Sequence, residues 1–182
     1  MQFNKLLDSY ADVITGIFYL RLPEAPLIAQ KYKTLALKSS YSAEKKDTII
    51  NMINVVGAIQ KEGFEAPPTL RNSITQINRI FIIATHEMIF SKIDKLPQIK
   101  NSEIIQFLRH LRNGCAHENK FYFDKRVIDS STKKLKLPAK WREKIIDTNL
   151  QEQQVLPNFM MDGDIYNFLF DLEKHLKDKI KF

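Results

Sequence analysis

One stretch constrains this chain more than any other: residues 107–119, where an amphipathic segment runs into a cluster of polar side chains. Apolar residues recur here at helical spacing and predict a helix with one buried stripe, formed by Ile104, Ile105, Phe107, Leu108, Leu111 and Cys115. Arg112, Asn113 and His117 fall outside that stripe. If the helix continues, Asn113 and His117 share a face, whereas about 140° separates Arg112 from His117. Gly114 is a poor helix former, and a bend or an end there would let the three side chains converge.

Apolar periodicity predicts helices in the first half of the chain as well. Residues 2–20 form a first helix, and a second begins at Ala25 and has Leu35 on its apolar side. A third runs from an N-cap at Ser42 to Lys61. Residues 69–94 form the longest helix, and apolar residues cover most of its circumference. Such a helix is expected to be central, with neighbours packed on several sides.

The second half has both helical and irregular patterns. Asn101 or Ser102 can cap the helix that leads into residues 107–119. Residues 120–137 suggest a hairpin-like excursion or a mobile loop. Pro138 suits the start of a short helix with Trp141 and Ile145 facing inward. Residues 151–161 are expected to be irregular, and Asp162 caps a final helix. The expected fold is therefore all-α: a single-domain helical bundle over residues 1–182, with an irregular basic excursion at about 120–140.

Composition excludes several classes of protein. With 44% hydrophobic and 27% charged residues the chain is typical of a soluble globular protein, and no apolar run approaches the ~20 residues of a membrane span. The N-terminus does not have the pattern of a signal peptide, so we expect a cytoplasmic protein with no membrane partner. The single cysteine excludes an internal disulfide framework.

Familiar catalytic motifs are also missing from the sequence. The four histidines are not paired at zinc-ligand spacing, and no Gly-rich phosphate loop is present, so neither a metal nor a cofactor is expected. Cys115 lies in the apolar stripe, where a thiol usually behaves as a small hydrophobe. His175, near the end of the last helix, suits the negative end of the helix dipole.

Basic residues are concentrated directly after the polar cluster. The segment from Lys120 to Arg142 contains eight basic and two acidic residues, within a chain of net charge +7. Such a segment attracts polyanions, of which nucleic acid is the commonest in cells. On charge alone, however, a solvated lysine-rich loop is the preferred interpretation, because a modest basic excess is frequent. The basic residues are Lys120, Lys125, Arg126, Lys133, Lys134, Lys136, Lys140 and Arg142.

Arg112, Asn113 and His117 could together cleave a phosphodiester without a metal. Arginine presents a fixed fork of donors that matches phosphate, and histidine both accepts and gives protons near neutral pH. His117 would assist proton transfer at an attacking ribose 2′-hydroxyl or at the leaving oxygen, and Arg112 would stabilise charge on the phosphate. In the alternative interpretation, both side chains merely occupy a helix C-terminus, where cations are favoured anyway.

The string Arg112-Asn113-Gly114-Cys115-Ala116-His117 resembles the Arg-polar-x-x-x-His signature of HEPN domains, small all-helical proteins of toxin–antitoxin, abortive-infection and CRISPR systems. The flanking Leu111, Glu118 and Asn119 look like the abortive-infection branch. The resemblance implies a metal-independent endoribonuclease that works as a homodimer with a composite active site and leaves 2′,3′-cyclic phosphate and 5′-hydroxyl ends.

On this resemblance Arg112 and His117 are catalytic, and Asn113 orients His117 or contacts RNA. Further RNA contacts are expected from Arg109, Lys120, Lys125, Arg126, Lys133, Lys134 and Lys136, and His86, Glu87, Arg109 or His110 are candidates to assist. An antitoxin or another defence component is a candidate partner. Two alternatives remain: a non-catalytic RNA-binding or regulatory module, and a helical scaffold subunit whose motif holds a dimer together.

Overall fold

The protein is predominantly helical, which confirms the predicted all-α class. The computed structural model describes residues 3–19, 22, 24–32, 34–37, 48–51, 56–57, 68–123, 136–177 and 179–180. The chain divides into two compact units, one formed by residues 12–74 and the other by residues 1–11 and 75–182. The prediction of one domain over residues 1–182 stays a prediction.

The described residues of the unit 12–74 include helical segments and two paired strands. Helix α1 (Phe3–Tyr19) enters it from the other unit and agrees with the predicted first helix, and α2 spans Ala25–Tyr32. Strands β1 (Thr34–Leu37) and β2 (Thr48–Asn51) pair antiparallel, with Thr34 opposite Asn51. Ala25, Ala29 and Val56 form a small buried cluster.

Helix α2 confirms the predicted helix that begins at Ala25, but the extension of that helix to Leu35 is wrong, because Leu35 lies in β1. The prediction of a helix through Ile49 and Ile50 is also wrong, because these residues lie in β2. Short apolar runs satisfy helical and strand periodicity alike, and the β-branched residues of Thr48-Ile49-Ile50 pack well in a strand. The predicted N-cap, Ser42, lies outside the described residues.

The larger unit holds the remaining elements and the motif. Its elements are α3 (Pro68–Ile93, which begins in the other unit), α4 (Pro97–Lys100), α5 (Glu103–Ala116), β3 (Ala139–Trp141), β4 (Lys144–Ile146), a 3₁₀ turn (Thr148–Leu150), a π-type turn (Val155–Phe159) and α6 (Asp162–Leu176). Ser102 occupies the predicted N-cap position of α5, but its hydroxyl donates to the Ile99 carbonyl (2.7 Å) instead of capping the helix.

An aromatic cluster joins α5, α6 and the β3–β4 hairpin. The ring of Phe107 lies 5.4 Å from that of Phe168 and 5.9 Å from that of Trp141, and both phenylalanines are fully buried. The indole of Trp141 donates to the Asp171 carboxylate (3.0 Å). Because α5 is fixed from this side, its opposite side is left to carry the polar residues.

Helix α3 is buried along one stripe rather than all round. Within the larger unit Asn78, Ile82, Thr85, Ile89 and Ile93 are buried, but Ile80 is 62% exposed. Most of the other apolar residues of α3 are partly exposed, so the prediction that neighbours pack on several sides stays a prediction. The apolar residues outnumber the positions that this chain covers.

The short helix predicted after Pro138 is wrong. Residues 139–141 and 144–146 form the β3–β4 hairpin, in which Trp141 and Ile146 are buried and Ile145 is 44% exposed. Arg142 at the turn has a φ of 49°, which ends any helical path there. A strand alternates its faces, so Trp141 turns inward and Ile145 outward.

Residues 151–161 contain neither an α-helix nor a strand, as predicted, and backbone hydrogen bonds and the π-type turn define their path. Phe121 N donates to Gln153 O (2.9 Å), Glu152 N donates to Phe121 O (2.7 Å), and Lys120 bridges Gln154, so residues 120–123 pair with this segment. Helix α6 begins at Asp162, with Met161 rather than Asp162 at the N-cap position. The predicted excursion beyond Phe123 falls on residues 124–135, outside the described part of the chain.

Candidate functional site

Five residues of α5 and its end form one exposed arc. Arg109, Arg112 and Asn113 are partly exposed and Ala116 and His117 are exposed, while the rest of the helix from Ile105 onward is buried. The His117 amide donates to the Asn113 carbonyl (3.0 Å), so His117 closes the last turn. On an α-helix Arg112 and His117 then stand at opposite edges of this arc with Asn113 between them, about 10 Å apart at their Cβ atoms.

Gly114 does not end the helix, contrary to one expectation. Helix α5 continues through it to Ala116. A Cβ at this position would lie 2.5 Å from Val155 Cγ2 and 3.2 Å from the Lys120 carbonyl oxygen. Gly114 is therefore required because the chain after the helix packs directly on its Cα.

Arg112 is held by a carboxylate from α3. Its Nη2 and Nε donate to Glu87 Oε1 at 2.9 and 3.2 Å, and its Nη1 lies 3.5 Å from Asn113 Oδ1. The hydrogen bond from Arg112 holds the pKa of Glu87 below its ordinary value, with a smaller effect from His86. Because the Glu87 side chain is 58% exposed, such a pair contributes only about 0–1 kcal/mol to stability. The contact thus orients Arg112 without locking it.

His86 of α3 and Arg109 of α5 extend this cluster around the ring of Phe90. The His86 ring stacks on Phe90 at 4.0 Å and its Nδ1 lies 3.2 Å from Glu87 Oε1, while the Arg109 guanidinium lies 5.2 Å from the Phe90 ring centre. Burial lowers the pKa of His86, the hydrogen bond with Glu87 opposes that shift, and burial also lowers the pKa of Arg109. His86 is therefore neutral at neutral pH and supports Glu87.

His117 has an open environment. Its side chain is exposed and makes no hydrogen bond or ion pair with any residue that the structure describes. Arg112 and His117 thus share the arc but are not in contact. An imidazole in this state is free to meet a ligand at the end of α5.

Asn119, part of the resembling string, has a structural role. It is buried with a φ of 62°; its Nδ2 donates to Leu156 O (2.6 Å) and its Oδ1 accepts from Leu156 N (3.2 Å). Glu118 before it has a φ of 54°. These two left-handed residues turn the chain out of α5, and Asn119 attaches it to the π-type turn. Asparagine adopts the left-handed conformation more readily than most residues, so its place directly after the helix could have indicated this turn.

Arg79 was missed by sequence reasoning. Its Nε donates to the Cys115 carbonyl (2.8 Å) and its Nη1 to Gln76 (2.9 Å), so α3 holds the last turn of α5 at a second point. Cys115 itself is fully buried, and burial raises the pKa of its thiol to about 12. The thiol is accordingly inert, as its place in the apolar stripe indicated.

Only some of the predicted RNA-contacting residues lie in the described part of the chain. Lys120 and Lys136 are exposed on the chain that follows α5, and Arg109 lies within the arc. His110 is buried, and its Nε2 donates to the Lys136 carbonyl (2.9 Å), which ties that chain to α5; burial lowers its pKa. Lys125, Arg126, Lys133 and Lys134 lie outside the described residues.

No protein-family model, curated protein or solved structure matches this chain. Among the described residues, no three or more His, Cys, Asp or Glu side chains are grouped so that they could hold a metal ion. No helix in the described ranges has both the length and the apolar character needed to cross a membrane.

Proposed function

We propose that this chain is a metal-independent endoribonuclease of the HEPN type, with Arg112, Asn113 and His117 as its reacting residues. The observation that carries the proposal is the exposed arc of α5, which presents an arginine, an amide and an unengaged imidazole on one side of one helix. A guanidinium and an imidazole about 10 Å apart at their Cβ atoms can both reach a phosphodiester bound between them.

In the proposed reaction the ribose 2′-hydroxyl attacks the adjacent phosphorus while neutral His117 accepts its proton. The bond from phosphorus to the 5′-oxygen of the next nucleotide breaks, and that oxygen takes up a proton from imidazolium or from water. The products are a 2′,3′-cyclic phosphate and a 5′-hydroxyl, so atoms and charge balance without a cofactor. Arg112 stabilises the charge that accumulates on the non-bridging oxygens, and Asn113 orients the substrate or His117.

A second copy of the chain is the proposed partner that completes the site. Ile80, Ala84 and Glu87 recur at helical spacing along one side of α3, and Ile80 is 62% exposed although it is a large apolar residue. This side includes the carboxylate that orients Arg112. A homodimer formed here would cover Ile80 and bring two exposed arcs to one RNA, so that residues from both chains serve one phosphate.

The alternative, an RNA-binding or regulatory module that does not cut, is favoured by the Glu87 contact. A guanidinium that already donates twice to one carboxylate oxygen is partly neutralised, which suits exchange with a phosphate more than strong transition-state stabilisation. In both cases the partner is RNA. A role as a toxin or phage-defence effector, restrained by an antitoxin, belongs to the same proposal.

The test is a comparison of cutting with binding. Wild type, Arg112→Ala, His117→Ala and the neighbouring control Glu118→Ala are incubated in EDTA with an RNA and with its 2′-O-methyl counterpart. We expect the wild type and the control to cleave the RNA but not its 2′-O-methyl counterpart. We expect neither Arg112→Ala nor His117→Ala to cleave either one. Equal salt-sensitive binding of both RNAs by all four proteins, without cleavage, would establish the binding module instead.

A further inference from the structure

A cleft lies at the other end of α5. Gln98, Ile99, Ser102, His175 and Lys179 line a space of about 380 Å³ between the start of α5 and the end of α6. At 1.5 Å per residue, Ser102 is roughly 20 Å from His117, so the cleft is separate from the exposed arc. Ligand sites in proteins start at about 300 Å³, which makes this cleft large enough for a small metabolite.

The His175 ring contacts two polar groups in the cleft. The Ser102 hydroxyl has one proton and donates it to the Ile99 carbonyl (2.7 Å), so at 3.2 Å it accepts from His175 Nε2. Lys179 Nζ lies 3.3 Å from Nδ1 and 3.2 Å from Nε2 of the same ring. Burial, and then the charge of Lys179, lower the pKa of His175.

Lys179 adds a positive charge that no described carboxylate neutralises. Among the described residues no carboxylate forms an ion pair with Lys179 or His175, even though Glu103 and Glu173 are near in the chain. With His175 neutral, the Lys179 ammonium is the one positive charge that these two side chains bring to the cleft. The Leu176 carbonyl at the end of α6 is already bonded by Lys179 N and Ile180 N. An anion in the cleft would supply the negative charge that Lys179 lacks among the described residues.

We propose that this cleft binds a small phosphate ester, with its phosphoryl group in contact with Lys179 and His175. Lys179 donates to a phosphoryl oxygen, and the negative charge of the bound ester favours protonation of His175, whose Nδ1 then donates a second hydrogen bond. Inorganic phosphate alone fills little of the cleft. The remaining volume is bounded by the Gln98 amide, which suits the hydroxyl groups of a sugar, and by the apolar side chain of Ile99.

The experiment is a titration of the full chain with AMP, ribose 5-phosphate, adenosine and inorganic phosphate, followed by amide NMR signals. The expected result is saturable binding of both esters, with the largest shifts at Ser102 and His175, and much weaker binding of adenosine and of inorganic phosphate. Lys179→Gln weakens AMP binding about tenfold or more, which is about 1.4 kcal/mol, whereas the control Lys177→Gln changes it less than about twofold.

Three results would overturn the proposal. The first is the absence of saturable shifts at Ser102 and His175 with either ester. The second is equal affinity for AMP and inorganic phosphate, and the third is an equal loss of AMP binding in Lys177→Gln; either of these would mean a general attraction of anions to a basic surface. Amide spectra of each variant, compared with the wild type, separate loss of binding from loss of folding.

Discussion

Replacing Glu87 by glutamine tests how Arg112 meets RNA. The carboxylate accepts two hydrogen bonds from Arg112, so an RNA phosphate that contacts the guanidinium must approach a nearby negative charge. The Glu87→Gln substitution would keep the size of the side chain and one acceptor oxygen but remove that charge. We therefore expect Glu87→Gln to bind RNA more tightly than the wild type.

The size of the gain follows from the geometry. A phosphate on the free side of the guanidinium would be roughly 6–7 Å from the Glu87 carboxylate, where two unit charges repel by about 0.6 kcal/mol in water. The water-like value applies because the Glu87 side chain is 58% exposed. The expected gain is therefore about threefold in Kd at about 0.01 M salt, and it disappears near 1 M, where the Debye length is about 3 Å.

The assay is fluorescence anisotropy with a 2′-O-methyl RNA, which cannot be cut by 2′-hydroxyl attack. Glu103→Gln is the control, because Glu103 is an exposed carboxylate at the opposite end of the same helix. Equal or weaker binding by Glu87→Gln at low salt would refute the reasoning. A gain of the same size in Glu103→Gln would also refute it, since the effect would then reflect net charge alone.

Three further predictions concern the framework of the site. Gly114→Ala is expected to lower the free energy of unfolding by about 1–3 kcal/mol, because the added methyl group overpacks the site. Gly163→Ala is the control, since a Cβ at Gly163 would meet open space, and it should leave the free energy unchanged. Chemical denaturation measures both values. Asn119→Ala should lower the free energy of unfolding by about 2–4 kcal/mol, because two backbone groups of Leu156 lose their hydrogen-bond partner. Glu118→Ala is the control for backbone strain, since Glu118 has a similar φ but an exposed side chain. Burial lowers the pKa of His110 in the folded state, so its contribution to stability is present above the ordinary histidine pKa and is lost as the pH falls through the folded value. In His110→Gln, unfolding followed from about pH 7 to about pH 5 should show a smaller decline than in the wild type.

The long helices could be predicted from the sequence because each repeats its pattern over several turns. Helices α1, α3, α5 and α6 begin and end within a few residues of the predicted limits. The strands could not be predicted, since runs such as Thr48-Ile49-Ile50 are too short for their periodicity to distinguish a strand from a helix. The β3–β4 hairpin depends on Trp141 reaching Asp171 on α6, a contact between residues 30 positions apart.

The site was predictable to a similar degree. Helical spacing correctly placed Arg112, Asn113 and His117 outside the buried stripe, and it suggested Cys115 as a core residue. The sequence named Glu87 as a candidate to assist the motif but did not indicate its contact with Arg112. That contact depends on the packing of α3 against α5. Gly114 is needed because Val155 packs against its Cα, and no local sequence pattern indicates that contact.

The most direct test of the central claim is analysis of the RNA ends produced by the wild type and by His117→Ala in EDTA. The account predicts that the wild type leaves 2′,3′-cyclic phosphate and 5′-hydroxyl ends and that His117→Ala, folded as the wild type by its amide spectrum, leaves the RNA intact. Cleavage by His117→Ala at the wild-type rate, or products with 3′-hydroxyl ends, would contradict it.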